Sequence, residues 1–322
     1  MTQTVDSLVV ARPEARTLLR VAICIATHRR PDGLRRLLES LEQLTFQDAT
    51  DPDVRVIVVD NDPSSAAGLD VCRTITRFRW ILEGLPEHRK GISFARNRAL
   101  DRALECDADA IVFIDDDEVP DPGWLDGLLQ VHRNSGAQII SGPVEPWFEQ
   151  SAPDWIVRGK FFDRGRFPTG TEIPFARTGN LLLDAHFLKA SGLRFDDRFG
   201  LSGGEDTLLT LKLKQLGARI VWADNAPVRE SVPTSRATAA YILRRSYLNG
   251  NNWTRIQCVL KPGPAVMTKR AGLAFCRIAE GGLLLLPSLL LGRRGAVRSL
   301  AKCYLGWGSF MGLLRVSMNF YE

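Results

Sequence analysis

Apolar residues fall along the first part of the chain in short runs separated by amphipathic stretches. Val21–Ala26 is an apolar run of strand length, and Leu34, Leu37, Leu38, Leu41 and Leu44 follow it at helical spacing. Val54–Val59 repeats the strand signature. A polar turn then covers Asp60–Ser65, an edge strand is predicted at Arg79–Leu82, a helix at Ser93–Leu104 and a further strand at Ala110–Ile114. Apolar runs alternating with amphipathic helices at these lengths predict βα units and a mostly parallel, doubly wound sheet.

From Pro143 to Thr178 the pattern turns irregular, with Trp147, Trp155, Phe161, Phe162 and Phe167 among Gly and Pro, and is expected to face a substrate. Glu205–Leu216 is predicted helical, with Gly217 placed to end it. Beyond Lys261 the chain becomes leucine-rich. Gly281–Gly292 is intensely apolar, but Gly and Pro interrupt it, and extending it backwards meets Glu280 and Arg277. A full bilayer span needs about twenty apolar residues, so this run is expected to associate with a membrane without crossing it. Whether residues 271–292 insert or only lie on the surface stays open. The expected division is an N-terminal extension over 1–19, a catalytic domain over 20–260 and a basic helical region over 261–322.

Composition excludes disorder: 45% of the 322 residues are apolar and 25% charged. The net charge of +5 is unevenly placed. From Lys261 onward nine Lys and Arg face only Glu280 and Glu322, so the preceding residues carry a slight acidic excess. Basic residues interleaved with leucines fit an anionic membrane surface rather than nucleic acid, which is recognised on polar aromatic platforms. The six cysteines form no C-x-x-C pair, which suits reduced cytosolic thiols. The first twenty residues contain Asp6 and Glu14 and no signal-peptide run, so export is not expected.

In doubly wound sheets ligands lie beyond the carboxyl ends of the strands. Thr27-His28-Arg29, Asp60-Asn61-Asp62 and Asp115-Asp116-Asp117 occupy those places. Three carboxylates leaving one strand are costly unless a cation neutralises them, and oxygen-only ligands favour Mg²⁺ or Mn²⁺ carrying a substrate's phosphates. A solvated acidic turn is the plainer alternative. EF-hand geometry fails because Val119 and Pro120 stand where a carboxylate and the turn glycine belong. Neither G-x-G-x-x-G after the first strand nor G-x-x-x-x-G-K-[ST] occurs. Gly203-Gly204-Glu205-Asp206 opens a helix. Acidic residues are favoured there by the helix dipole alone, yet the glycines permit close substrate approach and an Asp there is placed to accept a proton from a hydroxyl.

Thr27, Val58-Val59-Asp60-Asn61, Ala95-Arg96-Asn97, Asp115-Asp116-Asp117, Thr178-Gly179-Asn180 and Gly204-Glu205-Asp206 occur in an order that resembles family-2 glycosyltransferases of the GT-A fold, over roughly residues 20 to 252. The resemblance implies an α/β, Rossmann-like GT-A domain with a C-terminal helical, membrane-associating extension. It also implies an inverting, metal-dependent transfer of one sugar from a nucleotide-sugar, expected to be UDP-linked. Asp60 would contact the base, with Thr27 and Asn61 in the same pocket. Asp115 and Asp117 would hold Mg²⁺ or Mn²⁺ on the diphosphate, with Asp116 between them, and Arg96 and Asn97 would lie near the nucleotide-sugar. Asp206 matches the catalytic base with Glu205 beside it, while Gly179, Asn180 and Gly204 fall on the acceptor side.

Two departures stand out. Many members carry Asp where Asn61 stands, and where related enzymes often place a metal-binding His this chain has Val228-Arg229-Glu230, which leaves the role of Glu230 open. The Q-x-x-R-W element of processive synthases is missing, so single addition is expected. The Arg244–Asn251 stretch, with Val232-Pro233 and Arg236, is similar to enzymes that assemble lipid-linked exopolysaccharide repeat units of the succinoglycan type. That likeness implies a lipid-linked saccharide acceptor and a peripheral position at the cytoplasmic face of the cell membrane. Two rival readings are a haloacid-dehalogenase-type phosphatase with Asp115 as nucleophile, and a non-catalytic, membrane-docked sugar- or nucleotide-binding subunit.

Overall fold

Strand residues that are apolar at every position need cover on both faces, and the chain supplies it. In the computed structural model, which describes residues 18–47, 51–62 and 64–316, β1 (Arg20–Thr27), α1 (Pro31–Leu41), β2 (Asp53–Asp60), α2 (Ala67–Thr74), β3 (Ile81–Pro86), α3 (Ile92–Glu105) and β4 (Ala110–Ile114) follow as βα units. The short β5 (Glu118–Pro120), α4 (Trp124–Ser135), β6 (Ile139–Ser141), β7 (Val144–Phe148) and the single turn α5 (Asp154–Val157) come next. They lead to β8 (Asn180–Asp184), α6 (Ala185–Ser191), α7 (Glu205–Gln215), β9 (Ile220–Trp222) and β10 (Val228–Val232). All but the last two residues of the expected N-terminal extension, and the last six of the C-terminal region, lie outside the described residues.

Alternate side chains of β1, β2 and β4 point to opposite faces. Ile23, Val56 and Val112 meet the leucines of α1 and α4, while Cys24, Ile57 and Phe113 meet the alanines of α3 and residues of α6 and α7. The sheet order is β3-β2-β1-β4-β8-β6-β9. The first four strands are parallel; β8 runs antiparallel between β4 and β6, and β9 is parallel to β6. The mostly parallel, doubly wound expectation therefore holds, with one reversed strand. The predicted edge strand is β3, shifted a few residues toward the carboxyl end. Register aligns Thr27 with Asp60 at the ends of β1 and β2, close to where β4 ends at Ile114.

A second, small sheet carries the acidic turn. β5 leaves Asp117 and pairs with β10, which also pairs with β7, so Glu230 lies opposite Glu118. Part of the segment expected to be irregular is thus ordered as β7 and α5.

Three long helices close the chain: α8 (Ala239–Leu260), α9 (Pro264–Ser288) and α10 (Gly292–Leu313). α10 packs closely on both α8 and α9, and glycines make this possible. A Cβ on Gly308 would stand 1.9 Å from the Tyr247 carbonyl oxygen, and one on Gly250 2.0 Å from that of Leu305. Gly281 and Gly282, expected to interrupt the apolar run, do not break α9, because Gly281 is a contact point where a Cβ would meet the Ser299 oxygen at 2.7 Å. Arg298 donates to the Gly159 carbonyl and Arg293 stacks on Trp155, fixing the hairpin against the body. Gly308→Val should lower stability by roughly 3 kcal/mol, since a backbone collision leaves little room to relax. A thermal melt identical to wild type would contradict this packing.

Candidate active site

The carboxyl ends of β1, β2 and β4 open on a chamber of about 530 Å³ lined by Thr27, Arg30, Asn61, Arg96, the Asp115–Asp117 turn, Arg164, Glu230 and Arg236. A second chamber of about 490 Å³ adjoins it, sharing Arg96, Asp115, Arg164 and Arg245 and enclosing Glu205 and Asp206.

Cations crowd the acidic turn. Arg30 bridges Asp116 and Asp117 at 2.9 Å each, Arg236 donates to Asp117 at 2.9 Å, and Arg96 donates to Asp115 at 2.7 Å and to Glu205. The Thr27 hydroxyl donates to Asp116 at 2.8 Å. Burial, with Asp117 nearby, raises Asp116 to about 6 in spite of Arg30, and burial likewise raises Asp117. Glu118 is pushed well above the usual range by burial and by Asp115; its carboxylate accepts from the Asp115 amide and braces the turn from behind. Glu230 accepts from Arg164 and lies 3.9 Å from Arg236, so it joins the rim of this chamber.

Gly203 and Gly204 carry φ of +80° and +95°, a conformation that L side chains rarely adopt, and they swing the chain into the first turn of α7. There the two acids diverge. Glu205 is 1% exposed, with one carboxylate oxygen paired to Arg96 and the other without a hydrogen-bond partner. Burial raises it to about 7 although Arg96 opposes the shift. Asp206 faces the second chamber, accepting from the amides of Thr178 and Thr207. Arg96 thus ties the base of α7 to the end of β4.

Several expected site residues are placed elsewhere. Asp60 is 2% exposed, and its carboxylate accepts from the amides of Asp62, Gly68 and Leu69, which turns it to the start of α2 instead of the chamber. Asn61 lines the chamber, but its amide group is committed to the carbonyls of Glu87 and Arg89 and the amide of Gly91. Asn97 points away: one residue on from Arg96 is about 100° round the helix, and Asn97 clamps the Phe195 backbone. Asn180 is a structural tie among Trp124, Pro143 and Ala226. Gly179 makes room for Glu118, since a Cβ would stand 2.4 Å from its carboxylate. Neither lines the Asp206 chamber, whereas Thr178 and Gly204 do. From the irregular segment, Arg164, Phe175 and Arg177 reach the cavity, while Trp155, Phe161 and Phe162 pack with α8 and α10.

Sequence reasoning missed Arg30, Arg164, Arg177 and Arg277. Arg30 follows Thr27-His28-Arg29 beyond β1, a position that alone would have drawn notice. The others come from an irregular segment and a distant helix, where no spacing marks them.

The family model of Glycosyl transferase family 2 matches residues 22–191, and that of Glycosyl transferase family group 2 matches residues 110–321. The succinoglycan biosynthesis protein ExoM of Rhizobium meliloti (strain 1021) is 32% identical over 287 residues, covering 87% of this chain and 90% of that protein. The glucosyl-dolichyl phosphate glucuronosyltransferase of Haloferax volcanii is 22% identical, covering 75% of this chain and 78% of that protein. Among solved structures, S. aureus TarS 1–349 in complex with UDP is similar in fold, with a TM-score of 0.52, 16% identity and coverage of 92% and 91%.

Proposed function

The chain belongs to glycosyl transferase family 2 and is a glycosyltransferase, and from that premise we propose that it moves one sugar from a UDP-linked donor to a lipid-linked saccharide in polysaccharide synthesis, inverting the anomeric centre. The carrying observation is the pair of adjoining chambers: an acidic, arginine-braced turn in one, Asp206 in the other, with Arg96 and Asp115 in their shared wall. The relative in succinoglycan biosynthesis supports a role in polysaccharide synthesis, and the UDP in the TarS structure agrees with the donor proposed. The family premise leaves no place for the phosphatase and binding-subunit readings.

The donor's diphosphate would lie over Asp115–Asp117, among Arg30, Arg96, Arg164 and Arg236. Asp206 removes the proton from the acceptor hydroxyl as its oxygen bonds to the anomeric carbon; the bond to the diphosphate breaks and the electron pair leaves with it. Proximity of the two substrates supplies much of the remaining acceleration. Among the described residues no group of three or more His, Cys, Asp or Glu is arranged to hold an ion. Asp115 and Asp117 instead offer two carboxylates on one floor. That oxygen-only set fits Mg²⁺ or Mn²⁺, which bind through one or two carboxylates plus substrate phosphates. The ion would neutralise charge on the leaving diphosphate. Screening nucleotide-sugars for Mg²⁺-dependent hydrolysis should single out a UDP-sugar; hydrolysis confined to another nucleotide would overturn the donor assignment.

The α9–α10 hairpin would rest on the membrane. Among the described residues, Pro264–Leu313 is the one stretch long and apolar enough to cross a bilayer by length and composition, and only 11% of its most apolar window is buried. Leu283, Leu286 and Leu290 are 79%, 77% and 91% exposed. Because α10 is locked to α8 through glycines, a hairpin lying in the interface keeps that packing, which a span would break. Leu286→Asp with Leu290→Asp should release the protein from anionic vesicles, and unchanged co-sedimentation would contradict interfacial docking.

A further inference from the structure

We propose that Arg236 serves two anions in turn: the Asp117 carboxylate while the acidic turn holds no ion, and the donor's diphosphate once it does. The proposal rests on the reading of Asp117 as a ligand of Mg²⁺ or Mn²⁺. Three carboxylates leaving β4 call for cations, and the fold supplies them from the chain itself. Asp115 is paired with Arg96 at 2.7 Å, Asp116 with Arg30 at 2.9 Å, Asp117 with Arg236 at 2.9 Å and, on the rim, Glu230 with Arg164. These four acids meet four arginines, so the floor of the chamber is neutralised from within. Arg30 also reaches Asp117, and its guanidinium and that of Arg236 donate to a single oxygen, Oδ2. An ion held by Asp117 therefore competes with arginine for that carboxylate.

The two arginines are not equally free to leave. The same Arg30 nitrogen donates to Asp116 at 2.9 Å, so Arg30 keeps an acid when Asp117 is taken. Among the described residues Arg236 has no second acid within hydrogen-bond distance; Glu230 stands 3.9 Å away and already accepts from Arg164. The backbone around it is fixed. The Arg236 amide donates to the Pro233 carbonyl at 2.9 Å, and the Ser231 amide to the Asp117 carbonyl at 2.8 Å. The exchange is thus a side-chain movement. Arg236 and Tyr241 line the chamber together, with the guanidinium 6.0 Å from the ring centroid, so a released Arg236 stays over the turn where the diphosphate would lie. Ion and diphosphate each favour the arrangement in which Arg236 has left Asp117. Each accordingly strengthens the binding of the other, and by linkage the coupling is reciprocal.

The test follows Mn²⁺ and UDP separately in the full-length wild type and in Arg236→Gln. Mn²⁺ binding is read from the electron paramagnetic resonance of the free ion, and UDP binding by calorimetry with Mn²⁺ or with a chelator. The variant should bind Mn²⁺ alone about three- to tenfold tighter, because one competitor for Asp117 is gone. It should bind UDP in the presence of Mn²⁺ about tenfold more weakly, the effect of one charge-assisted contact. With the chelator, UDP affinity should stay within about twofold of wild type, which also reports that the variant is folded. Opposite signs for ion and nucleotide separate the exchange from general damage, which weakens both. Unchanged or weaker Mn²⁺ binding in the variant would overturn the proposal, as would UDP affinity that falls as much with the chelator as with Mn²⁺. Failure of wild type and variant alike to bind Mn²⁺, with or without UDP, would remove the ion assignment itself and the exchange with it.

Discussion

Asp206→Asn should lower kcat by roughly 10²–10⁴-fold while leaving nucleotide affinity within about twofold of wild type. The substitution preserves shape and keeps one oxygen to accept from the amide of Thr207 in the first turn of α7, while the longer contact with the Thr178 amide is given up. What is lost is a carboxylate able to take a proton. Glu205, its neighbour, behaves differently because it is buried and bound to Arg96, which also holds Asp115. Replacing Glu205 would disturb the wall between the chambers and alter binding as well as turnover. A split in which Asp206→Asn changes kcat alone therefore identifies the base, and full activity in that variant would remove Asp206 from the role.

Asp117→Ala should abolish the Mg²⁺-dependent part of nucleotide affinity. In wild type, Mg²⁺ should strengthen UDP binding by about tenfold or more, since Asp115 and Asp117 would hold the ion and it would neutralise charge on the diphosphate. In the variant that increment disappears. The arginines make the prediction sharper. Arg30 and Arg236 both donate to Asp117, and losing it turns Arg236 toward the ligand and leaves Arg30 held by Asp116 alone. UDP affinity measured with a chelator present should accordingly stay constant or rise. An unchanged Mg²⁺ increment, read by calorimetry, would remove Asp117 from the ion's ligands.

The parallel half of the sheet was legible because its strands are apolar at every position and its helices are periodic. Thr27 and Asp115–Asp117 followed from the rule that ligands meet the carboxyl ends of parallel strands, and Arg96 and Asp206 from the family's motif order; the fold sets them around two adjoining chambers. What stayed hidden depends on long-range contact. Asp60 and Asn180 read as site residues by motif, yet backbone amides and carbonyls brought close by folding claim their polar atoms. Arg164, Arg177 and Arg277 reach the cavity from elements far apart in sequence. The glycines of α9 and α10 read as helix breakers, whereas in the fold they are the points where helices touch. Propensity records the local cost of glycine and not the packing that offsets it.

The central claim is a single displacement driven by Asp206 as base, and the stereochemistry of the product tests it most directly. With an α-linked UDP-glucose-type donor, the proton NMR coupling at the new anomeric centre should report a β-linkage. An α-linked product would contradict the single-displacement account.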